Sequence, residues 1–87
     1  MDRGVLAAVR RFPQRSLEIR RLAMSDNAFR SLCEDLCEAE EALARWSLLP
    51  SEQAASRRCE YDLLVEELAA EIVSIVNRPP RAENGSR

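Results

Sequence analysis

Eighty-seven residues make one small domain and leave no room for two. There is no His, and all thirteen basic residues are Arg, which excludes a His base, a His metal ligand, a Ser-His or Cys-His pair, a Schiff-base lysine and a P-loop lysine. With 5% aromatic residues and two Gly the composition points to an all-α protein, and the net charge of −2 conceals a basic start, an acidic middle and a basic end.

Residues 1–24 carry six Arg against Asp2 and Glu18, a charge of +4. Residues 25–50 and 51–77 are each −4, and residues 78–87 are +2. The Arg bias reads as GC-rich coding, expected of a bacterial gene. Apolar runs are far shorter than the roughly 20 residues that span a bilayer, so the expectation is a soluble, cytoplasmic protein.

Val5, Ala8, Val9, Phe12, Ile19 and Ala23 would share one sector of a continuous helix, but Pro13 interrupts it. Proline disfavours the helical conformation of the preceding residue and suits a first helical turn. The reading is therefore a basic N-terminal extension over residues 1–11, weakly helical or frayed, and a first helix over about 13–23.

Ser25-Asp26 supplies a cap and a first-turn acid, and a second helix over about 26–48 follows. Its apolar positions Phe29, Leu32, Leu36, Ala39, Leu43 and Trp46 recur at gaps of three and four, a heptad seam. Pro50 ends it, and Ser51-Glu52 starts a third helix over about 52–77. There Ala54, Tyr61, Val65, Leu68, Ile72 and Ile75 repeat the pattern. So short a connection forces antiparallel neighbours, placing Leu36 opposite Val65 and Phe29 opposite Ile72. Residues 12–77 thus read as one helical domain, built on an antiparallel two-helix hairpin with a shorter N-terminal helix. Residues 78–87 read as a disordered basic tail.

Phe12-Pro13, Ile19, Leu22, Ser25-Asp26, Phe29 and Leu32, followed by an acid-rich helix and a second long helix, resemble the YdcH-like family of small bacterial proteins. The resemblance covers roughly residues 12–76. It implies a helical hairpin with a short leading helix and no assigned activity. The chain departs from that pattern at Leu36-Cys37 and at Arg57-Arg58, which stands where the family carries a Lys-rich stretch.

Three features are candidates for chemistry. Cys33, Cys37 and Cys59 are three thiols without a fourth ligand, and an i,i+4 pair holds its Cβ atoms about 5 to 6 Å apart, too far for a disulfide. They read as small buried or flanking residues, and no metal or other cofactor is expected. Glu34, Glu38 and Glu41, with Glu60, Glu67 and Glu71, read as solvated stripes rather than acid–base pairs. Arg10, Arg11, Arg20 and Arg21 are the candidates for contact with a polyanion, against the alternative that the basic arm pairs with the acidic hairpin.

A hairpin this short cannot bury both faces alone. The leading helix is expected to cover the Cys33 and Cys37 flank, and a second flank of Leu64, Ala69 and Val76 to meet a second copy in a dimeric helical bundle. The interaction seam is then Phe29, Leu32, Leu36, Leu43, Trp46, Tyr61, Val65, Leu68, Ile72 and Ile75. The functional expectation is a non-catalytic interaction or adaptor protein acting as a homodimer. The alternative is RNA or anionic-surface binding through the Arg-rich first helix.

Overall fold

The computed structural model describes residues 2–78, and among them every regular element is helical. Helix α1 spans Arg3–Arg11. A single 3-10 turn, Pro13–Arg15, leads into α2, Ser16–Ser25. Two long helices follow, α3 over Asn27–Ser47 and α4 over Glu52–Val76. The four α-helices pack against one another, most extensively α3 with α4 and α1 with α3. The expected tail lies outside the described residues except for Arg78.

The segment read as weakly helical or frayed is a nine-residue helix with Gly4, Val5, Ala7 and Ala8 buried. The Asp2 carboxylate accepts from the Gly4 N–H at 2.8 Å, satisfying one of the donors that a helix start leaves free. Arg10 and Arg11 occupy the last turn, where cations oppose the dipole favourably. Phe12 then leaves helical geometry (φ −128°, ψ 66°), as a residue before proline does. Pro13 opens the 3-10 turn, closed by the Arg15 N–H on the Phe12 carbonyl at 2.9 Å, so α-helix resumes at Ser16 rather than at Pro13. Val5, Ala8, Ile19 and Ala23 are all buried, on two helices instead of one.

Asp26, not Ser25, caps α3. It is extended (φ −136°, ψ 104°) and its side chain accepts from the Phe29 N–H at 3.1 Å. Ser25 remains the last residue of α2, its hydroxyl directed to the Arg21 carbonyl at 3.3 Å. At the other junction the Ser51 hydroxyl accepts from the Ala54 N–H at 3.0 Å, with Glu52 in the first turn, as its sequence pattern predicts.

The core is contributed by every α-helix. Phe29, Leu36, Val65 and Ile72 from the long pair are buried together with Val5, Ala8, Ile19, Ala23, Cys33 and Ala39. Leu32, Leu43, Leu68, Ile75 and Val76 pack against this cluster while partly exposed. Ala69 is buried and Val76 half-buried, so both are used within the protomer, whereas Leu64 is 38% exposed. The flank expected to face a mate therefore divides. Arg15, in the 3-10 turn before α2, donates to the Val76 carbonyl at 3.4 Å and ties the end of α4 to that turn.

Candidate interaction surfaces

Two surfaces carry the residues that the sequence singles out: the face of α3 and α4 away from α1, and the outer face of α2. The first is a pair of grooves. One is lined by Ala39, Ala42, Tyr61, Leu64 and Leu68, with Asp35, Glu38 and Arg45 at its edges. The other holds Phe29, Leu32 and Ile75 among Asp26, Asp35, Glu71 and Arg78. Asp35 belongs to both, and neither groove has a wall from α1 or α2. Of the ten seam residues, Phe29, Leu36, Val65 and Ile72 are buried, while Leu32, Leu43, Trp46, Tyr61, Leu68 and Ile75 are half-buried. Ala42 and Leu64 extend the groove beyond that seam. The sequence pattern sets Leu64 on another flank, with Ala69 and Val76, and Ala42 falls outside the heptad positions.

On the opposite side of α3, α1 approaches very closely. A Cβ placed on Gly4 would lie 2.6 Å from the Glu34 backbone nitrogen and 2.7 Å from its Cα, so no larger residue fits without moving a helix. Ala7 and Ala8 continue this small-residue face, and Cys33 and Cys37 are buried on α3. The Cys33 thiol is pushed up to about 11, chiefly by burial and further by the charges of Asp2 and Glu34. That direction keeps it protonated and unreactive. Cys37 contacts Glu41 at 3.7 Å, and Cys59 is exposed on α4. Among the described residues no group of three or more Cys, Asp or Glu side chains is gathered for a metal ion.

The basic residues separate into two sets. Arg3 pairs with Glu41, and Arg11 with Glu40 at 3.1 Å and with Glu66 at 3.9 Å, tying α1 to both long helices. Arg15 pairs with Glu18 within its own turn and donates to the Asn77 side chain at 2.7 Å. The hydrogen bond from Arg15 holds the Glu18 carboxyl below its usual range. Arg10, Arg20 and Arg21 make no ion pair among the described residues. Of the four polyanion candidates, then, Arg11 is committed to carboxylates and the other three are not.

Arg20 and Met24 stand beside Asp2, Val5, Ala23 and Arg30 around a groove where α1, α2 and α3 meet, and the Asp2 carboxylate there accepts from the Gly4 N–H. Met24 is 86% exposed and Leu17 64% exposed, so α2 presents large apolar side chains outward. Composition alone does not reveal this, because exposure depends on which α2 face the core takes. No helix of the described residues is long and apolar enough to cross a membrane. Comparison with known proteins returns no matching family model, no similar curated protein and no similar solved structure.

Proposed function

We propose that the protein is a non-catalytic helical interaction protein that works as a homodimer, α3 and α4 forming an antiparallel hairpin of the kind the YdcH-like resemblance implies. The observation that carries this reading is the apolar groove pair along α3 and α4, to which α1 and α2 contribute no wall. A second copy turned end for end over that face completes a four-helix bundle, the arrangement in which half-buried seam residues become core. Charge supports the choice of a second copy. Both grooves carry both signs, Arg45 with Asp35 and Glu38 in one and Arg78 with Asp26 and Glu71 in the other. A two-fold axis across the face reverses the grooves, so the Arg45 groove of each copy meets the groove of the other that holds Asp26, Glu71 and Arg78.

A non-catalytic role agrees with the absence of His and Lys and with the direction in which Cys33 is shifted. Light scattering at micromolar concentration is expected to give twice the monomer mass. Leu64→Glu is expected to restore the monomer with helicity retained, since that side chain is already partly exposed. A wild-type protein that remains monomeric at high micromolar concentration would remove the proposal.

A further inference from the structure

The outer face of α2 repeats one short pattern. Leu17, Arg20, Arg21 and Met24 stand at i, i+3, i+4 and i+7 and share a sector of about 100° at 100° per residue. All four are exposed, Leu17 and Met24 lying at the centre of the sector with one Arg on each side. Neither Arg20 nor Arg21 forms an ion pair among the described residues, and the exposed Glu18, which feels the charge of Arg21, is itself paired with Arg15. Across the adjoining groove stands Arg30, likewise exposed, which donates to the neutral Asn27 side chain at 2.9 Å.

From this arrangement we propose that the α2 face docks on the surface of an anionic lipid bilayer. Leu17 and Met24 would enter the boundary between headgroups and acyl chains, while Arg20, Arg21 and Arg30 meet lipid phosphates. Long cationic side chains flanking an apolar ridge suit that boundary, because their stems lie along apolar surface while the guanidinium groups stay in the polar layer. A soluble polyanion would use the guanidinium groups and leave the ridge in water. Single-stranded RNA would also call for stacking aromatics, and this face has none. The ridge of two side chains implies reversible docking, strengthened by anionic charge and weakened by salt. The inference uses none of the α3–α4 groove and stands whether or not the dimer forms.

The test is sedimentation of the full chain with vesicles of phosphatidylcholine, with and without phosphatidylglycerol, at low and at physiological salt. Binding is expected on the anionic vesicles, with little on phosphatidylcholine alone. Arg20→Gln with Arg21→Gln is expected to weaken it about 25-fold, roughly fivefold for each guanidinium near an anionic leaflet. Leu17→Asn with Met24→Gln is expected to weaken it by about tenfold or more, because the ridge then has no apolar surface to bury. All four side chains are exposed, so circular dichroism should show unchanged helicity in both variants. Absence of binding to anionic vesicles at low salt would overturn the proposal. So would vesicle binding that ignores the Leu17 and Met24 substitutions, or tighter binding of an oligouridylate than of the vesicles.

Discussion

Helix α3 is packed on two sides by opposite means. Toward α4 it presents large side chains, Phe29 and Leu36, that share a core with Val65 and Ile72. Toward α1 it meets Gly4, Ala7 and Ala8, and the helices approach until the Gly4 Cα stands over the Cys33–Glu34 backbone. The first interface is held by volume, the second by the lack of it. Atoms removed from the first leave a cavity, and a single atom added to the second forces the helices apart.

The largest expected effect follows from the volume-filled side. Leu36 is fully buried, so Leu36→Ala should cost about 2 to 5 kcal/mol in denaturant unfolding. Glu38→Ala, two residues along on the exposed side of α3, should cost less than about 0.5 kcal/mol. Equal losses at the two sites would contradict the packing described.

The close approach predicts a reversal of an ordinary rule. In a helix interior Gly→Ala commonly gains roughly 0.5 to 1 kcal/mol. Gly4→Ala should instead lose about 1 to 3 kcal/mol, because the new methyl meets backbone atoms that cannot rotate away. Hydrogen exchange should localise that loss to α1, with α4 amides least affected. A stabilised Gly4→Ala variant would show that α1 is not held this tightly.

The smallest effect separates the same two interfaces by pH. Cys33 is raised from an ordinary value near 9 to about 11 in the folded protein. Between those values the unfolded chain has released a proton that the folded chain still holds, so stability falls as pH rises. From this group the loss should reach about 1.4 kcal/mol by pH 10. Well below pH 9 both states hold the proton, and Cys33 contributes no slope. Cys33→Ala should flatten the alkaline limb relative to the wild type, apart from a constant packing loss, and an identical slope in both proteins would refute the assignment.

How much of this was readable beforehand depended on residue size. Phe29, Leu36, Val65 and Ile72 are large, regularly spaced and flanked by charge, and they proved to be core. Val5 and Ala8 showed as part of an apolar sector, whereas Gly4 and Ala7 produce little contrast on any hydrophobic scale, so their burial left little trace in the pattern. Pro13 marked the end of α1 correctly, but a proline says nothing about whether the segment before it docks. The α3 cap was misplaced by one residue because Ser25 and Asp26 are both able cappers, and backbone geometry alone selects between them. Spacing alone sets Ala69 and Val76 on a flank for a mate, whereas packing within the protomer buries the first and half-buries the second.

What the chain determined by itself is the helical class, the breaks near Pro13 and Pro50 and the spacing of large side chains along α3 and α4. These arise from local conformational preferences and periodic burial, which act over a few turns. Tertiary structure decided that α1 is part of the core, that Arg11 is tied to Glu40 and Glu66 while Arg20 and Arg21 form no ion pair among the described residues, and that Leu17 and Met24 face outward. Those outcomes depend on which helix face another helix reaches first. Contacts between residues such as Gly4 and Glu34, thirty positions apart, exist only once the chain has closed on itself.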